Sequence, residues 1–382
     1  MTTILITNGR LRTPHLAYNA GAVLIQDQHI AAAGEAGSFN VPEGTQILDA
    51  QDGLILPGLI DVHLHGAHGY NSGGPDLAQV IQALPKHGIT SFLPTTYINT
   101  HARLLEILGA MADVIENPPP GAQALGVHME GPWLSPEQAG VADPSLLHPL
   151  TIEQVRTFQQ AARGQLRMLT FAPEMGEALQ VIPFLVQEGI IPAMGHTDAD
   201  YKTIQQAVAL GLNHAAHTYN AMRGLHHREP GALGAVFDHD QIIAEMIADG
   251  HHIHPAAMRI LLKVKGAEHI CIVSDAAPPA GAPPGEYEWE GITLYHDGKT
   301  SRLANGALAG SVTMLNQMLR VLVEQVGVSL REAVRMATDV PARVLGVRKG
   351  RLAPGYDADL VVLGGDYAPI MTMIKGEVVY SV

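Results

Sequence analysis

The chain has 382 residues, 47% of them hydrophobic and only 16% charged, with 40 Gly and 25 Pro, a composition that builds a large, turn-rich core and excludes disorder as the main state. Lys and Arg number 23 against 37 Asp and Glu, a formal charge of −14; so acidic a surface repels nucleic-acid phosphates and anionic lipid, so neither nucleic acid nor membrane is an expected partner. The single cysteine, Cys271, excludes an internal disulfide framework and leaves the 20 histidines to carry any soft-metal chemistry.

At about 150 residues per domain the length sets two to three domains. The opening MTTILITNGR lacks the basic start and long apolar core of a signal peptide, and no run of about 18 apolar residues follows, so a cytoplasmic location is expected. Residues 1–55 read as short strands between turn signals: Ile4 to Ile6, then Asn8-Gly9, then Ala22 to Ile25 and Thr45 to Leu48. From Gly58 apolar strand runs alternate with amphipathic helical stretches, the rhythm of a parallel sheet. The candidate strands are Leu59–Leu64, Ser91–Thr95, Leu125–Met129, Met168–Ala172, Ile191–Met194, His214–Thr218, Ile242–Ile247 and Ile270–Ser274, and eight such runs are what a closed (β/α)8 TIM barrel requires. A last helical stretch, Leu330 to Thr338, precedes a return to strand pattern at Asp359–Leu363 and Met371–Tyr380. Neither terminal segment can hold a core alone, so both are expected to join in one small β-sandwich, 1–55 with 347–382, beside a barrel over 56–346.

Chemistry concentrates at the strand ends. In Asp61-Val62-His63-Leu64-His65 the strand period of two turns His63 and His65 to one face, where they can share a metal. Glu130 follows the largely apolar run Leu125 to Met129, and a carboxylate there is expensive unless a cation or donor satisfies it. His196, His217 and Asp275 close the fifth, sixth and eighth strands. Any one of these alone reads more simply as a hydrogen-bonded structural residue. Together, at the end of a barrel where active sites lie, they form the imidazole and carboxylate set of a zinc-like or iron-like hydrolytic site.

The segments HLHG, HMEGPWLSP, GHTDADY, HTYNAM, REPGALG, IADGHHI, SDA and LAGSVTM, in this order, resemble the N-acetylglucosamine-6-phosphate deacetylase family of the amidohydrolase superfamily over essentially the whole chain. The resemblance implies a TIM barrel with a small β-sandwich, a metal-activated water and removal of acetate from an acetylamino sugar phosphate. It makes Glu130, His196 and His217 the principal metal ligands, Asp275 a ligand and the general acid/base, and His63 and His65 the first-strand ligands. Some members lack one of those two histidines; this chain keeps both, which points to one or two divalent ions, zinc first, with Fe2+, Mn2+ or Co2+ as alternatives. Asn220 and Ala221 match phosphate-contacting positions, His252 a sugar-contacting histidine, and Arg228 a phosphate-binding arginine supplied by the neighbouring subunit of a homodimer. Arg suits phosphate as a planar, permanent cation; the plainer reading pairs Arg228 with Glu229.

One departure stands out. Where the family usually reads Lys-Gly-Ala-His, with that His polarising the amide carbonyl, this chain reads Ala139-Gly140-Val141-Ala142. Either another donor, such as His148 or a second metal, stabilises the oxyanion, or the substrate differs. The alternatives to a sugar-phosphate deacetylase are an amidohydrolase acting on a different N-acyl sugar phosphate, an N-acyl amino acid or a cyclic amide, and a catalytically silent sugar-phosphate binding protein, for which a proton shuttle would have no use.

Overall fold

A computed structural model describes residues 2–382. Its centre is a ring of eight parallel strands: β1 (Leu59–Leu64), β2 (Ile89–Thr96), β3 (Val127–Glu130), β4 (Leu166–Phe171), β5 (Ile191–Met194), β6 (His214–Ala215), β7 (Ile243–Ile247) and β8 (Ile270–Val273). The ring closes where the Asp275 N–H donates to His63 O at 2.9 Å and Leu64 bridges Ala276 in parallel. Each strand leads to a helix: α1 (Leu77–Ala83), α2 (His101–Glu116), α3 (Ile152–Ala161), α4 (Ala178–Gln187), α5 (Tyr201–Ala209), α6 (Gly231–Asp238), α7 (Pro255–Lys265) and, after an insertion, α8 (Leu315–Val321). Two more, α9 (Leu330–Ala337) and α10 (Asp339–Leu345), pack against β8 and β1. The strands are buried on both faces, as parallel strands covered by helices must be. No helix among the described residues is long and apolar enough to cross a membrane.

The chain ends do pair. Strands Thr3–Arg12, Ala17–Gln26, His29–Glu35, Gln46–Asp49 and Leu54–Pro57 form one sheet with Leu360–Leu363, Pro369–Ile374 and Glu377–Ser381, eight strands in all. The pleat splits its side chains between two cores. Ile55, Leu360 and Val362 join Ile4, Ile6 and Ile25 in a core of the terminal unit, whereas Leu54, Leu56, Val361 and Leu363 enter the barrel core. That shared sheet packs the terminal unit against the barrel.

Three differences from the sequence reading have local causes. The strand expected over Met371–Tyr380 is a hairpin, because Lys375 (φ 47°) and Gly376 (φ 80°) both take the left-handed conformation that a two-residue turn demands. The sixth barrel strand stops at Ala215 rather than Thr218, since His217 turns left-handed at φ 27°. An antiparallel sheet of Gly285–Trp289, Ile292–His296 and Ser301–Arg302, unexpected from the sequence, is inserted between β8 and α8. It turns at Glu290-Gly291, again with both φ positive.

Candidate active site and metal centre

The C-terminal strand ends bring His63, His65, Glu130, His196, His217 and Asp275 together. Glu130 Oε1 lies 3.0 Å from His217 Nε2, 3.4 Å from His63 Nε2 and 3.5 Å from His196 Nε2. His65 Nε2 is 3.3 Å from both Glu130 Oε2 and Asp275 Oδ1. His63 with His65 and Asp275, and His63 with Glu130 and His217, each converge closely enough to hold a metal ion.

Tautomers can be read from the far side of each ring. His196 Nδ1 faces the carbonyl of Gln138 at 2.8 Å and His217 Nδ1 that of Asn220 at 3.2 Å. His63 Nδ1 faces the Glu245 carboxylate at 2.9 Å. Carbonyls and carboxylates only accept, so each Nδ1 carries a proton, and in the neutral form, the one that ligates a metal, each ring turns a bare Nε2 toward Glu130. His196 and His217 thus oppose bare nitrogens 3.1 Å apart beside a carboxylate oxygen. Lone pairs converging so closely repel unless a cation lies among them, and among the described residues His63 Nε2 has no hydrogen-bond partner. This donor set fits a divalent cation.

The backbone around the cluster is strained. His196 (φ 47°), His217 (φ 27°), Tyr219 (φ 80°), Ala221 (φ 46°) and Asp275 (φ 46°) all lie in the left-handed region that residues other than glycine seldom adopt. Such outliers collect where a site over-determines the chain. Gly140 (φ 64°) carries the segment Ala139–Ala142 past His196; a Cβ there would stand 3.1 Å from His196 Cε1.

A cavity opens above the cluster, lined by His65, Glu130, His196, His217 and Asp275 and by Asn220, Ala221 and His252. The Asp249 carboxylate fixes His252, accepting from its Nδ1 at 2.7 Å and from its backbone N–H at 2.9 Å. Opposite lies an apolar wall that includes Ile98, Leu134 and Ala142. Trp289, on the inserted hairpin, packs against Tyr97 and His65 with ring centroids 4.3 and 5.2 Å apart, and the Tyr97 hydroxyl donates to Val141 O at 2.8 Å. Burial, reinforced by the Glu130 and Asp143 charges, pushes that phenol up to about 12.

Two expected residues lie elsewhere. Arg228 is exposed on the β6–α6 loop, where its Nη1 donates to His227 Nε2 at 2.8 Å rather than pairing with Glu229, and it does not line the cavity of its own chain. His148 is no substitute donor: it accepts from Gln154 Nε2 at 3.1 Å and sits beside Trp133, outside the cavity. His128, two residues before Glu130, is a core histidine bonded to Val62 O and Thr170 Oγ1, and burial pulls its pKa down to about 3. The sequence reading passed over Glu245, Trp289 and Tyr97. Glu245 carried a usable signal, a lone carboxylate in the apolar run Ile242–Ile247.

Residues 54–379 match the amidohydrolase family. Over 347 residues the chain is 35% identical to the N-acetylglucosamine-6-phosphate deacetylase of Bacillus subtilis (strain 168), a match covering 89% of this chain and 88% of that one. It is also 35% identical over 342 residues to the N-acetylgalactosamine-6-phosphate deacetylase of Escherichia coli O157:H7, covering 88% and 90%. A solved mutant N-acetyl-D-glucosamine-6-phosphate deacetylase from Mycobacterium smegmatis, in complex with N-acetyl-D-glucosamine-6-phosphate, superimposes with a TM-score of 0.92 at 30% identity over 100% of both chains. Likeness of that breadth, in sequence and in fold alike, makes this chain a member of the amidohydrolase family, in the branch that holds these sugar-phosphate deacetylases.

Proposed function

We propose that the chain hydrolyses the acetamide of N-acetylglucosamine 6-phosphate to glucosamine 6-phosphate and acetate. The observation that carries this reading is the convergence of three bare imidazole nitrogens on Glu130, with Asp275 beside them, under a cavity lined by Asn220, Ala221 and His252. Glu130, His196 and His217 would hold one divalent cation, zinc before Fe2+, Mn2+ or Co2+; His63, His65 and Asp275 offer a second position that Glu130 also reaches. Such an ion supplies Lewis acidity that lowers the pKa of water to about 7 and polarises an amide carbonyl.

The chain's own groups do the rest. Asp275 would stay ionised beside such an ion, whose positive charge favours the carboxylate over its acid. Its carboxylate takes a proton from the attacking water and returns it to the amine nitrogen as the C–N bond breaks. The water's oxygen leaves in acetate. His252, held by Asp249, would contact the sugar, and Asn220 with the Ala221 backbone would meet the phosphate. Arg228, exposed and away from its own cavity, suits a role in trans, reaching the phosphate in the neighbouring site of a homodimer. The division of labour would then be a chemical barrel over 56–346 and a supporting unit built from 1–55 and 347–382. A cytoplasmic setting agrees with the lone, buried thiol of Cys271.

A second reading keeps the chemistry and changes the substrate. Ala142 and the apolar wall beside it stand where the family's carbonyl-polarising histidine is expected, which favours a different acyl group or sugar epimer. Acetate release is the deciding assay, run on N-acetylated glucosamine and galactosamine with and without 6-phosphate. Turnover greatest on N-acetylglucosamine 6-phosphate supports the proposal; preference for the galactosamine 6-phosphate favours the second reading, and equal turnover without phosphate would refute the proposal.

A further inference from the structure

Glu245 lies in the middle of β7 and is 0% exposed. A carboxylate in such a place is costly unless donors satisfy both oxygens. Here Oε2 accepts from His63 Nδ1 at 2.9 Å and from the His217 backbone N–H at 3.0 Å, while Oε1 accepts from His214 Nε2 at 2.9 Å. One buried side chain therefore ties β7 to β6 and, across β8, to β1.

The three inward-facing rings differ in what orients them. His196 and His217 are held by backbone carbonyls, which no substitution removes. His63 alone depends on a side chain. With an acceptor-only group at Nδ1, its proton stays there and Nε2 remains bare, 3.4 Å from Glu130 Oε1 and 3.6 Å from Asp275 Oδ1. Without that acceptor the ring can carry its proton on Nε2, where it blocks the lone pair a cation needs.

We propose that Glu245 is a positioning residue that locks His63 in its Nδ1–H tautomer and so sets the affinity of the ion position formed with His65 and Asp275. The inference rests on the proposed reading of His63 as a metal ligand. Partners that orient ligating histidines typically contribute 10–100-fold to metal affinity, and here the larger effect falls on the position formed with His65 and Asp275, because His217 keeps its own orienting carbonyl at Asn220.

The test titrates chelator-stripped protein with zinc against a competing indicator and counts bound ions by elemental analysis. Wild type, Glu245→Leu and the double variant His63→Ala with His65→Ala are compared, with a thermal melt of each stripped protein as the folding control. Wild type should hold two ions and the double variant one. Glu245→Leu, which removes the acceptor, should hold two, one bound roughly 10–100-fold more weakly and the other within a few-fold of wild type. Unchanged affinity at both positions, or an equal loss at both, overturns the positioning role while leaving the two-ion reading intact. Equal ion counts in wild type and the double variant overturn both. Glu245→Ala also removes the acceptor and serves if Glu245→Leu fails to fold. The same selective loss is expected there, and its absence overturns the proposal.

Discussion

Replacing Asp275 by Asn removes the proposed proton shuttle while keeping the side chain's size and the backbone around it. Asn has nearly the same volume and tolerates the left-handed backbone at φ 46°. The bonds that hold the turn are main-chain ones, Asp275 N–H to His63 O at 2.9 Å and Ser311 N–H to Asp275 O at 2.8 Å, and survive the change. The loss is chemical: an amide cannot take a proton from water or return it to an amine. General acid/base groups contribute about 10²–10⁴-fold, equivalent to roughly 2.7–5.4 kcal/mol of barrel-mouth catalysis. A charge is also lost 3.3 Å from His65 Nε2 and 3.6 Å from His63 Nε2, so one ion position should weaken while Glu130, His196 and His217 retain theirs. The assay is acetate release under saturating substrate, at measured ion content, with the melt of the stripped proteins as a control on folding. Turnover should fall by about 10²–10⁴-fold with KM within a few-fold. Turnover within a few-fold of wild type, at one retained ion or more, would refute the role.

Arg228→Ala should cut kcat/KM on the 6-phosphate substrate by about 10–150-fold, the loss of roughly 1.5–3 kcal/mol from a charged hydrogen bond, and spare the unphosphorylated sugar. Mixed with Asp275→Asn chains it should regain activity in hybrid dimers; a verified hybrid without activity leaves Arg228 no role in trans. Ala142→His puts a donor on the apolar wall of the cavity. It should raise turnover of a one-ion form and add little at two ions, whereas a uniform gain at full loading argues against compensation by metal. Acid stability should depend on His87, whose pKa burial, with smaller contributions from His68 and Lys86, pulls down from 6.5 to about 4. Folded His87 stays neutral while the unfolded chain binds the proton below 6.5, so this contribution is complete above 6.5 and is lost as pH falls toward 4. The slope is at most about 1.4 kcal/mol per pH unit. Denaturant unfolding in chelator should show a shallower decline for His87→Gln, and identical slopes in the two proteins would exclude the effect.

Position along a strand and meeting in space are different kinds of information. Leu59–Leu64 and Ile191–Met194 are legible residue for residue, because a buried parallel strand is an apolar run and the turn residues bound it within a few positions. The pairing of His63 with His65 follows from the pleat alone. Glu130, His196, His217 and Asp275 stand at strand ends, and once eight strands are counted the barrel dictates that such ends share one face. The hairpins at Lys375-Gly376 and Glu290-Gly291 were missed because each depends on a residue other than glycine accepting a positive φ, which residue type does not announce.

What the sequence determined by itself was therefore the set of barrel strands, the face on which chemistry gathers and the residue types available there. Which nitrogen of each ring is free was decided only by the closed barrel. His128, inside β3, and His196, two residues past the end of β5, are the same residue type, yet His128 is spent on Val62 O and Thr170 Oγ1 while His196 faces Glu130 with its Nε2. Glu245 meets His63 from 182 positions away, an acceptor no local pattern could assign. Proton placement depends on the partner behind the ring, and those partners come from distant strands brought together by barrel closure.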